Sequence, residues 1–402
     1  MTDRLAIEGG DPVRPTFLPF GAPVIGEEEI AEVVDTLRSG WIGQGRRVER
    51  FEREFAAAVG AEHAVAVSSC TAALHLSLVA AGVAPGDEVL VPVFTFAASA
   101  TAVEHAGATP VFCEIQPRTL LLDLEDAARR ITSRTRAIMP VHFGGLPADM
   151  DALAELARAH DLVVIEDAAH AVGASLDGRA IGSFDSLACF SFYPNKNLTT
   201  GEGGMVTLRD AEVAERISML RLHGLSTDAW RRYARKEYMP SELHALGFKY
   251  NLTDLQAALG IHQLAKLPGF QARRHELAAR YDAELSQLPG VTLQERTLPG
   301  HDVEHALHLY LLLLDLDALG ASRNEIVQAL RAENVGGAIH YRALHLEPYF
   351  VERLGLAPEA FPVALDASER VLTLPLTHGM TDDDAADVLA ATRKVLTHYA
   401  RS

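Results

Sequence analysis

The chain has 402 residues, of which 48% are hydrophobic and 22% are charged, a composition typical of a globular enzyme of two or three domains. A formal charge of -18 argues against a nucleic-acid partner, because phosphate backbones attract a basic surface. No apolar run approaches the roughly 18 residues of a membrane span, and the N-terminus shows no secretory signal. The three cysteines have no metal-binding or disulfide spacing, so we expect a cytoplasmic protein without a metal.

Predicted strands and helices alternate between residues 60 and 210. Short apolar runs typical of buried strands occur at 65–68, 88–93, 109–115, 137–141, 162–165, 187–192 and 204–208. Helical spacing follows three of these runs, at 71–82, 97–107 and 150–161. This alternation predicts an α/β fold, in which a mostly parallel seven-stranded sheet is sandwiched by helices and ligands bind at the carboxyl ends of the strands.

The pattern changes after about residue 250. Thr253 and Gln256 form a capping-box pattern, which predicts the start of a long helix that runs toward Leu285. Mixed strands and helices follow it. We therefore expect four parts: an N-terminal arm at 1–19, a large domain at 20–250, a connecting long helix at 251–286, and a smaller C-terminal α+β domain at 287–402.

Asp167 and Lys196 each follow an apolar strand, so both are expected at the same edge of the sheet. A carboxylate and an amine at this edge suit pyridoxal phosphate, since the aspartate can pair with the pyridine nitrogen and the lysine can bond to the aldehyde. The alternative is a buried ion pair without a cofactor, which a lone Asp and Lys would favour.

A possible phosphate site supports the cofactor. In SSCTAAL, the backbone N–H groups of Thr71 and Ala72 and the Thr71 hydroxyl stand at a predicted helix start, where a phosphate dianion is stabilised. Ser191 can add a hydroxyl, and Phe96 is placed to stack on the cofactor ring. Each residue also has a simpler interpretation, as a helix cap or a core side chain.

The order of these motifs resembles that of the DegT-type sugar aminotransferases of aminotransferase fold type I. The resemblance extends over nearly the whole chain, through SGWIGQGRRVERFE, SSCTAAL, GDEVLVPVFTF, PVHFGG, VIEDAAHAVGA, FSFYPNKNLTTGEGG, LGFKYNLTDLQAALGIHQL and AIHYRALH. It implies that Lys196 is the Schiff-base lysine and proton shuttle, that Asp167 is the pyridine partner, and that His170 lies near the phenolic oxygen of pyridoxal phosphate. His142, in PVHFGG, could face the site or pack in the core.

The resemblance also implies a homodimer with shared active sites. The segment at 247–251 would reach the partner's phosphate, through either Lys249 or Asn251. Cys70 stands where relatives have glycine, which places a thiol near the cofactor.

For substrates, the resemblance implies glutamate as the amino donor and a nucleotide-linked keto sugar as the acceptor. DAAHA and the K-Y-N loop are similar to the branch that forms UDP-4-amino-4-deoxy-arabinose, so a UDP- or dTDP-linked 4-keto sugar is favoured. Candidate substrate residues are Trp41, Arg46, Arg47, Arg231, Arg232, Lys236, His340, Tyr341 and Arg342.

Two other functions stay open. One is an aminotransferase for a 3-keto sugar or an aminocyclitol ketone with glutamine as donor, which the opening LAIEGGDPVRP resembles. The other is a regulatory protein that binds pyridoxal phosphate without transaminase activity, although the presence of both Lys196 and Asp167 argues against it.

Overall fold

The computed structural model describes residues 4–226 and 241–401. In chain order, its strands are β1 His63–Val67, β2 Glu88–Pro92, β3 Thr109–Cys113, β4 Thr135–Ile138, β5 Val163–Asp167, β6 Ser175–Leu176, β7 Arg179–Ala180, β8 Leu187–Ser191, β9 Gly204–Leu208, β10 Val291–Leu293, β11 Val303–Glu304, β12 Tyr310–Leu314 and β13 Val371–Leu374. Its α-helices are α1 Glu27–Ser39, α2 Arg46–Val59, α3 Cys70–Ala80, α4 Ala97–His105, α5 Leu124–Arg130, α6 Met150–His160, α7 Ala211–Leu220, α8 Asp254–Leu285, α9 Leu316–Leu319, α10 Arg323–Ala332, α11 Pro348–Leu354, α12 Pro362–Arg370 and α13 Asp382–Tyr399. Short 3₁₀ helices lie at Ala6–Glu8, Phe143–Gly145, Leu344–Leu346 and Pro358–Ala360.

The main sheet has seven strands in the order β1-β9-β8-β5-β4-β2-β3. Strand β9 pairs antiparallel with both of its neighbours, and the other pairs in the sheet are parallel. All five residues of β2, β8 and β9 are buried, as expected of strands that helices cover on both faces. The predicted fold class, a mostly parallel seven-stranded sheet sandwiched by helices, is confirmed.

Helix α8 is the longest helix of the described chain, at 32 residues. Thr253 caps it, because its side chain accepts from the backbone N–H of Gln256 while the Gln256 side chain accepts from the N–H of Thr253. The first half of α8 packs against α1 and α2. The second half contributes Leu277, Tyr281 and Leu285 to a separate apolar cluster with the C-terminal part of the chain.

The C-terminal part is built on an antiparallel sheet of three strands, in the order β10-β12-β13. Every residue of β12 and β13 is buried, and helices α10 and α13 pack on this sheet through Ile326, Leu330 and Val388. A further three-stranded sheet, in the order β11-β6-β7, joins this part to the segment that follows β5.

The direction of the strands places several chain segments at one edge of the main sheet. Strands β1, β5 and β8 run the same way, so their carboxyl ends lie together, and the antiparallel strand β9 begins there. Helix α3 starts three residues after β1 ends. Asp167 is the last residue of β5 and Ser191 is the last residue of β8, so this edge carries the polar side chains.

Candidate active site

A cavity of about 350 Å³ opens at the carboxyl edge of the main sheet. Its walls come from the start of α3, the start of α4, the ends of β5 and β8, the loop after β8, and the segment before α11. The residues that line it are Ser69, Cys70, Thr71, Leu74, Thr95, Phe96, Ala98, Val141, Asp167, Ala169, His170, Ser191, Tyr193, Asn195, Lys196, Glu202, Gly203, His340 and Tyr341.

Asp167 forms one wall of the cavity and is only 4% exposed. Its carboxylate accepts hydrogen bonds from the Ser99 hydroxyl at 2.7 Å and from the backbone N–H of Ala169 at 3.1 Å. Burial raises the pKa of Asp167, although both hydrogen bonds and the nearby Lys196 amine act in the opposite direction. A carboxylate so placed is suited to a cationic partner within the cavity.

Lys196 projects from the loop after β8 into the same cavity. Its Nζ lies 3.4 Å from Nε2 of His308. Desolvation lowers the pKa of Lys196 to about 8, despite the nearby Cys70 and Asp167, which favour the charged form. A substantial fraction of the amine is therefore neutral near physiological pH, as a nucleophile or a proton acceptor must be.

His170 lies three residues after Asp167 and is 6% exposed. Its Nδ1 accepts from the backbone N–H of Gly144 at 3.3 Å, so the ring proton is on Nε2, which donates to the Tyr341 hydroxyl at 3.2 Å. Burial and the nearby Lys196 amine lower the pKa of His170 well below its usual value. The site therefore contains a neutral imidazole in one tautomer.

The start of α3 forms the end of the cavity that suits an anion. Ser69 caps the helix by accepting from the N–H of Ala72 at 3.1 Å, so a phosphate bound by Ala72 would share or displace this cap. The hydroxyls of Thr71 and Ser191 line the same cavity. The start of β9 packs closely against the backbone of Ser69. This packing requires glycine at position 204, because a Cβ there would lie 2.5 Å from the Ser69 carbonyl carbon.

Aromatic side chains surround the mouth of the cavity. Phe96 is 58% exposed and its ring centroid lies 5.8 Å from that of Tyr341. His340 packs against Phe20 at 4.9 Å, and its Nδ1 lies 2.9 Å from the Thr373 hydroxyl. Burial and the Lys196 charge lower the pKa of His340 to about 4, so this imidazole is neutral.

Eight predicted site residues line one cavity: Lys196, Asp167, His170, Thr71, Phe96, Ser191, His340 and Tyr341. Ala72 does not line it, but its backbone N–H donates to the hydroxyl of Ser69, which does. Others lie away from the cavity of this protomer. Trp41 donates from Nε1 to the Gln44 carbonyl at 2.9 Å. Arg47 forms ion pairs with Glu32, at 2.7 Å, and with Asp35. The side chains of Arg46, Lys249 and Arg342 are exposed. Arg231, Arg232 and Lys236 lie outside the described residues.

The segment that contains Lys249 and Asn251 lies beside the end of β1. The N–H of Ser68 donates to the Tyr250 carbonyl at 2.7 Å, and Asn251 forms an isolated antiparallel β-bridge with Val67. Asn251 Nδ2 donates to the Leu252 carbonyl at 3.2 Å. Neither Lys249 nor Asn251 lines the cavity of its own protomer.

Ser99 and His308 contact the Asp167 carboxylate and the Lys196 amine, and neither was foreseen from the sequence. Ser99 comes from α4, 68 positions before Asp167, and His308 lies 112 positions after Lys196. The sequence carries no local signal for His308, because it is one of 17 histidines and adjoins an apolar strand. His142 packs in the core, where Nδ1 accepts from the Ala148 N–H at 2.9 Å, so that Nε2 donates to Glu166 at 2.7 Å.

Cys70 lines the cavity and donates from Sγ to the Cys189 carbonyl at 3.3 Å. Burial raises the pKa of its thiol well above the usual value. A protonated thiol of this kind is a weak nucleophile.

This combination of fold and site defines a fold type I pyridoxal-phosphate enzyme: a mostly parallel seven-stranded sheet with an amine and a carboxylate in one cavity at its carboxyl edge. Residues 23–393 match the DegT/DnrJ/EryC1/StrS aminotransferase family. The chain belongs to this family. It is a sugar aminotransferase, and pyridoxal phosphate is its cofactor.

Individual relatives agree with the family over most of the chain. The spore coat polysaccharide biosynthesis protein SpsC of Bacillus subtilis is 47% identical over 384 residues, which cover 95% of this chain and 98% of SpsC. The putative sugar aminotransferase Spr1654 of Streptococcus pneumoniae, in its PMP-form, superposes with a TM-score of 0.88 at 32% identity, over 95% of this chain and 100% of Spr1654. Helicobacter pylori PseC, an aminotransferase involved in the biosynthesis of pseudoaminic acid, has a TM-score of 0.87 at 26% identity, over 96% and 100%. Within residues 4–226 and 241–401, no helix has the length and hydropathy to cross a membrane.

Proposed function

We propose that this protein transfers an amino group from glutamate to a keto sugar carried by a nucleotide. The observation that carries the proposal is the shared cavity, in which the Lys196 amine, the Asp167 carboxylate and the hydroxyl groups of Thr71 and Ser191 line one space at the carboxyl edge of the sheet. The amine and the carboxylate fit the two ends of a pyridoxal ring, and the hydroxyls with the α3 N-terminus fit its phosphate.

Each of these groups has a role in holding the cofactor. Asp167 would accept a hydrogen bond from the protonated pyridine nitrogen and so keep that nitrogen protonated, and Ser99 holds the carboxylate in place through its 2.7 Å hydrogen bond. Thr71 and Ser191, which line the cavity, would donate to the phosphate, and Phe96 would stack on the ring. His170 is placed for the phenolic oxygen of the cofactor, with its imidazole held between Gly144 and Tyr341. When bound, pyridoxal phosphate supplies an electron sink for the electron pair left on the donor α-carbon.

Lys196 performs the proton transfer in this proposal. With a pKa of about 8, its amine can accept the proton of the donor α-carbon and return a proton to the acceptor carbon in the second half of the cycle. General acid–base catalysis of this kind contributes roughly 10² to 10⁴-fold to a rate. The two half-cycles use the same residues in opposite directions, so ping-pong kinetics follow.

The acceptor class rests on the family and on the branch that the K-Y-N loop and DAAHA resemble. We favour a UDP- or dTDP-linked 4-keto sugar. The relative SpsC is named for the biosynthesis of a coat polysaccharide, which is consistent with an activated sugar as substrate. His340 and Tyr341 line the cavity near its mouth and are placed to contact the sugar. An exposed arginine such as Arg46 can bind the diphosphate, since guanidinium matches phosphate oxygens in a bidentate manner.

We also propose a homodimer in which the partner completes each site. Phe96 and Tyr193 line the cavity and yet are 58% and 47% exposed, which leaves apolar surface at its mouth. Lys249 and Asn251 do not line the cavity of their own protomer, so their phosphate contact would be made in the partner's cavity. Native mass spectrometry should show a dimer. A monomer with full activity would contradict this proposal.

The function is tested by the absorption spectrum of the protein loaded with pyridoxal phosphate. Glutamate should bleach the band of the lysine-bound cofactor, and a UDP- or dTDP-4-keto sugar should restore it. Bleaching by glutamate without restoration would favour a 3-keto sugar or a cyclitol ketone as the acceptor. Bleaching by glutamine alone would show that glutamine, and not glutamate, is the donor. A band that no donor bleaches would favour a regulatory protein that binds the cofactor without transferring amino groups.

A further inference from the structure

His308 contacts the Lys196 amine from the side of the cavity formed by the C-terminal part of the chain. It lies between β11 and β12 and is 3% exposed. The distance between Lys196 Nζ and His308 Nε2 is 3.4 Å. His308 does not itself line the cavity.

The hydrogen bonds around Asn197 determine which nitrogen of His308 carries the proton. Asn197 donates from Nδ2 to the Ala306 carbonyl at 2.6 Å and to the Gln271 Oε1 at 3.0 Å, so its Oδ1 is an acceptor. This Oδ1 lies 3.3 Å from His308 Nδ1. The ring proton is therefore on Nδ1, and Nε2 presents its lone pair to Lys196.

The charge state of His308 agrees with this arrangement. Burial, the Lys196 amine and the neighbouring His170 lower the pKa of His308 well below its usual value, so the imidazole is neutral. The rings of His170 and His308 lie 4.5 Å apart, and each is held in a different tautomer, with its proton on Nε2 in His170 and on Nδ1 in His308. Lys196 therefore meets one imidazole lone pair and no imidazolium.

We propose that His308 is a positioning residue that holds the free Lys196 amine, by accepting a hydrogen bond at Nε2 whenever the amine is not bonded to the cofactor. The inference rests on the proposed role of Lys196 in the function above. Asn197 is adjacent to Lys196 in the chain and also holds His308, so the loop after β8 and the segment before β12 form one hydrogen-bonded unit. Gln271 ties this unit to α8.

The hydrogen bond from Lys196 to His308 should raise the pKa of the Lys196 amine. Among the described residues, the other charged or titratable groups near its amine include Asp167, Cys70, His170 and His340, and Glu202, Tyr193 and Tyr341 line the same cavity. The lone pair of His308 stabilises the ammonium form more than the neutral amine. Replacing His308 by leucine should therefore move the pKa of Lys196 down by about one unit from its value of about 8.

The experiment uses the full chain without cofactor. The protein is pulse-labelled with acetic anhydride between pH 6 and 11, and the modified fraction of the Lys196 peptide is measured by mass spectrometry, with the exposed Lys249 as an internal reference for the reagent. His308→Leu removes the acceptor, and His308→Gln keeps one. His305→Leu is the matched control, since His305 is also buried and has no contact with Lys196.

The expected result is a labelling midpoint about one pH unit lower in His308→Leu than in the unsubstituted protein, which means about fivefold more neutral, reactive amine at pH 7. The midpoint should be close to the original in His308→Gln and unchanged in His305→Leu. Equal midpoints in all four proteins would overturn the inference. If the proposed role of Lys196 is wrong, no variant will attach pyridoxal phosphate at this lysine, which is a separate outcome.

A measurement on the unsubstituted protein covers the case in which His308→Leu does not fold. In protein labelled with ¹⁵N-histidine, the imidazole nitrogens report the tautomer directly. We expect a histidine with its proton on Nδ1, assigned to His308 by its loss in His308→Gln, and an Nε2-protonated ring for His170. An Nε2-protonated His308 would leave no lone pair for Lys196 and would contradict the inference.

Discussion

Replacement of Lys196 by methionine should make the cofactor-free protein more stable at neutral pH. Burial lowers the pKa of this amine from 10.5 to about 8. At neutral pH the folded state therefore contains a buried ammonium group whose desolvation destabilises it relative to the unfolded chain. At about 1.36 kcal/mol per pKa unit, the penalty on the free energy of folding is about 3 kcal/mol. With an unfolding entropy of about 2.1 cal/mol/K per residue, that corresponds to a rise in melting temperature of about 4 °C.

The sign of the effect fixes its dependence on pH. Because the pKa of Lys196 is lower in the folded than in the unfolded state, the penalty is fully present below about pH 8. It then declines as the pH approaches 10.5, since the unfolded chain also loses its proton there. The difference in melting temperature between Lys196→Met and the unsubstituted protein should therefore be largest near pH 7 and should shrink steadily above pH 8.

Scanning calorimetry of the cofactor-free proteins between pH 7 and 10 measures this difference. Lys266→Met is a control of opposite sign, because hydrogen bonds to Glu29 and Glu28 raise the pKa of Lys266. Its loss should lower the melting temperature at pH 7. A Lys196→Met protein that is less stable than the original at pH 7, or a difference that does not change with pH, would refute the reasoning.

Three further substitutions probe the site and the core. Asp167→Asn should keep some cofactor but lose most transamination, measured by single turnover with glutamate, because an amide cannot keep the pyridine nitrogen protonated. Ser99→Ala removes a hydrogen bond to a buried carboxylate that is worth about 1.5–3 kcal/mol, so kcat should fall at least tenfold. Thr95→Val is the control, because Thr95 hydrogen-bonds to Ser99 and not to Asp167, and its kcat should fall less. Phe55→Ala should destabilise the fold by about 3–5 kcal/mol in calorimetry, whereas Phe17→Ala, at a 46% exposed position, should cost far less.

Each of these expectations has a contrary result. Full turnover in Asp167→Asn would show that the Asp167 carboxylate is not needed to keep the pyridine nitrogen protonated. Equal rates in Ser99→Ala and Thr95→Val would show that the Ser99 hydroxyl does not tune Asp167. A Phe55→Ala protein as stable as Phe17→Ala would mean that the aromatic cluster around Phe55 rearranges to fill the space.

The main sheet was predictable because its strands are continuous apolar runs. The run at 204–208 coincides with β9, and the run at 88–93 differs from β2 by one residue. The direction of β9 was not predictable, since an apolar strand buried on both faces has the same pattern whether it runs parallel or antiparallel. Strands of two residues, such as β6 and β7, are too short to show any period.

The site was predictable where the sequence places a polar residue at the end of a strand. Asp167 and Lys196 follow this rule, because the carboxyl ends of parallel strands meet at one edge. Ser99 and His308 could not be found in this way. Their contacts depend on how α4 and the segment before β12 pack on that edge, which no local pattern encodes.

The attachment of the cofactor to Lys196 can be tested by chemical trapping. The chain has five lysines, at positions 196, 236, 249, 266 and 394. Reduction of the loaded protein with borohydride makes the lysine–cofactor bond permanent, and peptide mass spectrometry then locates the added mass. We predict that it lies on the peptide that contains Lys196 and on no other. Added mass on a different lysine, or none after loading, would contradict the account.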